Sequence, residues 1–110
     1  MIRIDFLVLK TGELVGFDIS GHANYANRGR DIICAAVSST AYMTINSISE
    51  LLKVDAEVKI NERFGSMYLS IPFSDSKKCE LILNSFKTHM LLMEDSYPEN
   101  IRVNYTEVET

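Results

Sequence analysis

The amino-terminal segment constrains the fold most, because two runs of alternating side chains follow each other across a short turn. Residues 2–9, IRIDFLVL, place Ile2, Ile4, Phe6 and Val8 on one face, which is the period of a β-strand. KTGE follows, and its glycine supplies the freedom that a turn needs. LVGFDIS then alternates in the same way, with Val15, Phe17 and Ile19 on one face. The two runs predict an antiparallel hairpin with one buried face.

The next pattern is a long helix. Asp31 stands where an N-cap is expected, and apolar residues recur at helical spacing from Ile32 to about Lys53. The stripe that this spacing places toward the core consists of Ile33, Val37, Ala41, Thr44, Ile48 and Leu52.

The second half of the chain repeats this plan. Residues 55–61 and 64–71 alternate about Glu62 and Arg63, which predicts a second hairpin. A second helix is predicted over 77–95, capped by Ser74 or Ser76, with Cys79, Ile82, Phe86, Met90 and Met93 as its apolar stripe. IRVNYTEV is a last strand. The order ββαββαβ predicts one α+β domain over residues 1–110, a largely antiparallel sheet with two helices packed on it, and leaves the strand order open.

Composition excludes some functions. The chain has 110 residues, of which 46% are hydrophobic, so a core can form without disulfides or metals. The net charge of −4 argues against a protein whose main role is to neutralise phosphates, and no direct nucleic-acid binding is required, although Arg28 and Arg30 are candidates for a small local patch.

The sequence predicts a cytoplasmic protein with free thiols. The segment MIRIDFLVLK is not a convincing export signal, and no apolar run approaches the roughly 20 residues that cross a bilayer. Cys34 and Cys79 are therefore expected to stay reduced. They lie far apart without a CxxC motif, so neither a metal site nor a cofactor is expected.

The pattern around Cys34 allows two interpretations of its role. In the first interpretation a cysteine is a small apolar side chain buried in the core, and Cys79, on the apolar stripe of the second helix, fits this interpretation well. Cys34, however, is predicted to lie at position N3 if Asp31 is the N-cap. Free N–H groups and the helix dipole then favour a thiolate there, against which the charge of Asp31 works.

His22 is the natural partner of such a thiol, although a lone loop histidine is often only solvated. A loop over residues 21–30, with Gly21 and Gly29 near its ends, separates the second strand from the helix. Such a loop can bring His22 to Cys34 and can close over a substrate, yet a plain surface connection has the same composition. Ser38 follows Cys34 by four residues and shares its helical face, where it could serve the site or bond back to the carbonyl of Cys34.

Gly21-His22-Ala23 and the segment from Gly29 to Ser38, GRDIICAAVS, resemble the signature of the ribosomal-processing cysteine protease family, Prp. The resemblance extends over the whole chain in length and element order. It implies a protease that removes an N-terminal extension from protein twenty-seven of the large ribosomal subunit. It further implies that Cys34 is the nucleophile and His22 the general acid and base, with Asp31 and Ser38 in support. Ala23 and Tyr25 are expected to contact the substrate, and a homodimer is expected.

Two other functions stay open. A non-enzymatic ribosome-associated module would use Arg28 and Arg30 and would need no reactive thiol. A small thiol hydrolase or acyltransferase would use the same pair as the protease.

Overall fold

The structure, a computed structural model, describes residues 1–21 and 28–109, and for residues 28–31 it gives the course of the backbone alone. Its elements occur in the predicted order ββαββαβ, which is confirmed. They are β1 (Ile2–Val8), β2 (Leu14–Ser20), α1 (Arg28–Asn46), β3 (Glu57–Asn61), β4 (Ser66–Ser70), α2 (Glu80–Ser96) and β5 (Ile101–Glu107). A short π-helical segment, Ser47–Leu51, extends α1, and a 3-10 turn, Phe73–Asp75, precedes α2.

One sheet joins the described strands in the order β3-β4-β2-β1-β5. Neighbours pair antiparallel except β1 and β5, which run parallel. The prediction of a largely antiparallel sheet is therefore confirmed, and its open question, the strand order, is answered. The first strand lies inside the sheet, between the second and the last.

The core lies between the sheet and the two helices. The ring of Phe86 from α2 lies 4.8 Å from that of Phe17 and 5.7 Å from that of Phe6, measured between centroids. The predicted stripes are buried, apart from Leu52 and Ile82, which are half-buried. Leu83 was not predicted, yet it is fully buried. Burial of apolar side chains on one face of each element is what holds the helices on the sheet.

Both predicted helix caps are wrong. Helix α1 begins at Arg28, so Asp31 lies inside its first turns and cannot be the N-cap. An acidic residue is favoured throughout the first turn of a helix as well as at its cap, so an aspartate does not fix the boundary. Helix α2 begins at Glu80, and neither Ser74 nor Ser76 caps it. The turn before the helix satisfies its first donor instead, because the N–H of Glu80 donates to the carbonyl of Lys77 at 3.3 Å.

One helical stretch, Ile32–Leu51, is long and apolar enough by length and composition alone to cross a membrane. From the sequence we expected no apolar run that approaches the roughly 20 residues needed to cross a bilayer. The buried residues Ile33, Val37, Ala41 and Ile48 belong to the single core cluster that also includes the strands. This is the arrangement of the core helix of a globular domain.

Candidate active site

Cys34 lies on α1, half-buried, where the helix faces the ends of the first two strands. It lines a cavity of about 160 Å³, which we call the thiol cavity. Its other walls come from β1, β2, α1 and the turn between β3 and β4, through Ile2, Ile19, Gly21, Val37, Ser38, Glu62 and Gly65. Four elements therefore converge on one side chain that can act as a nucleophile.

Gly21 fixes the path of the chain at the end of β2. Its φ angle is +83°, in the region that favours glycine, and a Cβ atom at this position would overlap the carbonyl oxygen of Met1. Only glycine therefore allows the chain to pass so close to Met1 at the rim of the thiol cavity. The residue that follows Gly21 is His22.

A second cavity, of about 210 Å³, adjoins the first. Ser38, Glu62 and Gly65 line both cavities, and the second one adds Tyr42, Ile60, Asn61, Ser66 and Met67. The two together form one groove between α1 and the β3–β4 hairpin, which we call the helix–hairpin groove. Along α1 its wall is built by Cys34, Ser38 and Tyr42, which are spaced four residues apart and so share one helical face.

In the part of α1 that the structure describes, the hydroxyl of Ser38 is not bonded to the helix backbone. Thr40, Thr44 and Ser47 each donate a hydrogen bond to the carbonyl four residues earlier, at 2.8–2.9 Å. Among the described residues, Ser38 makes no such bond, although sequence allowed one to the carbonyl of Cys34. The half-buried hydroxyl of Ser38 is therefore a polar group in the middle of the groove.

Tyr42 and Glu62 connect the two walls of the groove. The Tyr42 hydroxyl donates a hydrogen bond to Oε1 of Glu62 at 3.0 Å. The pKa of Tyr42 is raised above its usual value, chiefly because its hydroxyl donates this bond, and also through burial and the charge of Glu62. Sequence reasoning missed both residues. The spacing of Tyr42, eight residues after Cys34, is the signal that could have found the first of them.

The structure corrects the predicted setting of Cys34. Because α1 begins at Arg28, Cys34 lies in the second turn rather than at N3, beyond the four residues whose N–H groups lack helical acceptors. The effect of the helix dipole falls off within the first turn, so it acts less on this thiol than sequence suggested. The predicted loop also ends earlier than residue 30, and Gly29 and Asp31 belong to α1.

The structure describes some of the other predicted site residues and not others. Ser38 and Gly21 line the thiol cavity together with Cys34. His22, Ala23 and Tyr25 lie outside the described residues. Within residues 1–21 and 32–109, whose side chains the structure describes, no three histidine, cysteine or acidic side chains converge in a way that would hold a metal ion.

Cys79 has the role in the core that its pattern predicted. It is fully buried at the start of α2. Burial, and then the charge of Asp75, raise the pKa of its thiol above the ordinary value. A thiol held in its neutral form within the core is a poor nucleophile, so Cys79 is a poor candidate for the reactive cysteine.

Comparison with known proteins agrees with this geometry. The family model of the cysteine protease Prp matches residues 1–102. This chain belongs to the Prp family. The protein named ribosomal processing cysteine protease Prp of Staphylococcus aureus is 28% identical over 105 residues, which cover 96% of this chain and 99% of the relative.

Two solved structures of Prp from S. aureus superpose on this Prp chain. One holds a substrate peptide, with a TM-score of 0.86 and 26% identity, and covers 96% of this chain and 100% of that one. The other holds a covalently linked product peptide, with a TM-score of 0.85, 27% identity and the same coverage of both chains. The predicted family, the fold and the assignment as a cysteine protease are confirmed.

Proposed function

We propose that this Prp-family protein is a cytoplasmic cysteine endopeptidase that removes the N-terminal extension of protein twenty-seven of the large ribosomal subunit. Cys34 is its nucleophile and His22 its general acid and base. The observation that carries the proposal is the position of Cys34, half-buried in a cavity that opens into a longer groove. A cavity that held only a small thioester or amide would not need this continuation along α1.

The reaction follows from the chemistry of the pair. His22 takes the proton of the Cys34 thiol, and the thiolate sulfur forms a bond to the carbonyl carbon of the substrate. The tetrahedral intermediate collapses to a thioester as His22 gives its proton to the departing amine. Water, deprotonated by the same imidazole, then attacks the thioester. This step releases the acid product and returns the proton to the Cys34 sulfur.

The supporting residues have separate roles in this proposal. Gly21 holds the strand end that leads to His22, since no other residue fits beside Met1. Ser38 offers its hydroxyl to the bound peptide, four residues from the nucleophile. Asp31 orients His22, now that its role as a helix cap is excluded. Gly29 keeps its predicted role as a hinge residue, and Ala23 and Tyr25 contact the substrate.

The oxyanion of the intermediate needs N–H or O–H donors. Free N–H groups belong to the first four residues of α1, which begins at Arg28, and Cys34 itself lies beyond them. Helix-start groups can therefore serve the oxyanion only from residues 28–31. The Ser38 hydroxyl, which the helix leaves unused among the described residues, is the donor nearest in sequence on the face of Cys34.

A homodimer is part of the proposal. The outer face of α2 carries exposed apolar side chains, of which Leu81 is 82% exposed and Leu92 59% exposed. Exposed apolar patches of this kind favour association. Light scattering of the purified protein after size exclusion measures the mass directly, and a monomer at micromolar concentration would contradict this part.

Incubation with a synthetic peptide that carries the ribosomal-protein extension tests the central proposal. Mass spectrometry should find one cut at the end of the extension, and the Cys34→Ala protein should leave the peptide whole. A binding module would bind the peptide without cutting it. A small thiol hydrolase would cleave a simple thioester but not the peptide, and either result would overturn the proposal.

A further inference from the structure

Glu62 places a carboxylate at the point where the two halves of the helix–hairpin groove meet. It lines both cavities and accepts a hydrogen bond from Tyr42 on the opposite wall. The side chain is exposed. Among the residues that the structure describes, no lysine or arginine forms an ion pair with it. The next residue, Arg63, instead lies over the ring of Phe64, 5.9 Å from its centroid.

Part of the wall next to this carboxylate is apolar. Ile60, Met67 and the ring of Tyr42 line the outer half of the groove, together with Gly65 and the polar residues Ser38, Asn61 and Ser66. Ile60 and Met67 are cross-strand partners on β3 and β4, and Ile60 is 40% exposed, which is high for an isoleucine on a core-facing register. An apolar wall with a carboxylate at its edge matches a side chain that has an aliphatic stem and a cationic head, which is to say lysine or arginine.

We propose that Glu62 is a specificity-determining residue that selects a lysine or arginine of the substrate peptide. This inference rests on the proposed function, because it assigns a subsite to the same groove. The cation would lie with its stem along Ile60 and Met67 and its charge at the Glu62 carboxylate. A hydrogen bond from Tyr42 holds that carboxylate in place and reduces the entropy lost when the cation binds.

The geometry of α1 sets the distance of this subsite from the bond that is cut. Cys34 and Tyr42 are eight residues apart on one helical face, and eight residues of helix rise about 12 Å. An extended peptide covers about 12 Å in three to four residues. The selected cation should therefore be within about four residues of the scissile bond.

A paired substitution in the substrate tests the charge alone. In the extension peptide of the proposed function, each of the four residues on either side of the cut is replaced in turn by lysine or by norleucine, which keeps the stem and removes the ammonium group. We expect kcat/KM for the lysine peptide to exceed that for the norleucine peptide at one position by about three- to fivefold, as an exposed ion pair allows. The ratio should fall at high salt.

Variants of the protein assign that ratio to Glu62. Glu62→Gln should bring the lysine-to-norleucine ratio of kcat/KM close to one. Glu62→Lys should bring this ratio below one, and a peptide with glutamate at the same position should then be cleaved better than the lysine peptide. Glu57→Gln is the matched control, since Glu57 lies at the other end of the same hairpin, 3.5 Å from Lys59, and it should keep the ratio. A ratio near one at every position for the unaltered protein, or a ratio that survives Glu62→Gln, would overturn the inference.

Failure of the proposed function would give a different result. If the unaltered protein cleaves none of the peptides, the proposed function is wrong, and the subsite is then tested by binding. Calorimetry with the Cys34→Ala protein should show tighter binding of the lysine peptide than of the norleucine peptide, and loss of that difference in the Cys34→Ala, Glu62→Gln double variant. Equal binding of the two peptides would overturn the inference.

Discussion

The hydroxyl of Tyr42, on α1, donates a 3.0 Å hydrogen bond to the carboxylate of Glu62, which follows β3. The bond joins residues twenty positions apart, and it ties the helix that carries Cys34 to the hairpin on the other side of the groove. At this point a polar contact therefore joins the two walls of the groove, while the ring of Tyr42 packs against the core.

The charge of Glu62 should be visible in the titration of Tyr42. The pKa of Tyr42 is raised because the hydrogen bond to Glu62 favours the protonated hydroxyl. Glu62→Gln should therefore lower the pKa of Tyr42 toward its ordinary value, and Glu57→Gln should leave it in place. Ultraviolet absorbance of tyrosinate against pH measures the change, and Tyr42→Phe identifies which of the five tyrosines is responsible.

The raised pKa of Tyr42 also makes the stability of the folded protein depend on pH. A group whose pKa is raised by folding contributes stability below its unfolded pKa, about 10 for tyrosine, and loses it as pH rises through the folded value. The unaltered protein should therefore lose more stability at strongly alkaline pH than Tyr42→Phe does. Urea denaturation at neutral and alkaline pH compares the two, and a parallel loss in both proteins would contradict the assignment.

The two cysteines should respond oppositely to substitution. Cys34→Ala should abolish cleavage and leave the fold intact, because Cys34 is only half-buried at the groove. Cys79→Ala should keep activity and cost about 1 kcal/mol of unfolding free energy, since its side chain is fully buried. Peptide cleavage and urea denaturation of both variants give the four values. An inactive but fully stable Cys79→Ala protein would contradict the core assignment.

His22 can be separated from a cysteine that reacts alone. His22→Ala should slow alkylation of Cys34 by iodoacetamide near pH 7, and the rate should recover as pH rises and the thiolate forms without help. Peptide cleavage should fall by about 10²–10⁴-fold and should not recover, because alkaline pH cannot replace the proton donor to the leaving amine.

Three results would count against this pairing. Cleavage by His22→Ala at the parent rate would leave His22 outside the reaction. An unchanged alkylation rate near pH 7 would mean that Cys34 reacts without the imidazole. Recovery of cleavage at high pH would remove the role of general acid. His89→Ala is the control, since His89 is exposed on α2 away from the cavity of Cys34, and it should behave like the parent in both assays.

Gly21 should tolerate substitution less than Gly12, although both have positive φ angles, +83° and +100°. A Cβ at Gly12 would meet nothing within 4 Å. Gly12→Ala should therefore lower the free energy of unfolding only by the cost of a positive φ angle, about 1–2 kcal/mol. A Cβ at Gly21 would in addition overlap the carbonyl of Met1, so Gly21→Ala should cost roughly 3 kcal/mol or more. Urea denaturation measures both, and equal costs would show that the contact with Met1 relaxes freely.

Sequence predicted the elements because they depend on local patterns, whereas the role of Cys34 as nucleophile stays a prediction. Alternation in β1 and β2 and the apolar stripe of α1 are confirmed by burial, and the spacing of Cys34 and Ser38 placed them correctly on one face. The start of α1 was wrong, because an aspartate is stabilised in the first turn as well as at the cap.

The groove could not be predicted, because it depends on which strands are neighbours. Glu62 lies beside α1 because β4 pairs with β2, and this pairing brings the turn of the β3–β4 hairpin next to the helix. No periodicity in the sequence near residue 62 reports that pairing. A polar residue in a turn has the same local signature whether it faces open solvent or a binding site.

The parallel pairing of β1 with β5 has a consequence for synthesis of the protein. Ile2 lies opposite Ile101, and its N–H donates to the carbonyl of Asn100 at 2.8 Å, so the first strand completes its hydrogen bonds only with residues about a hundred positions later. Ile2 is also a wall of the thiol cavity. A nascent chain whose residues 101–107 are still inside the ribosome lacks this pairing. The cavity around Cys34 is therefore complete only once β5 has left the exit tunnel.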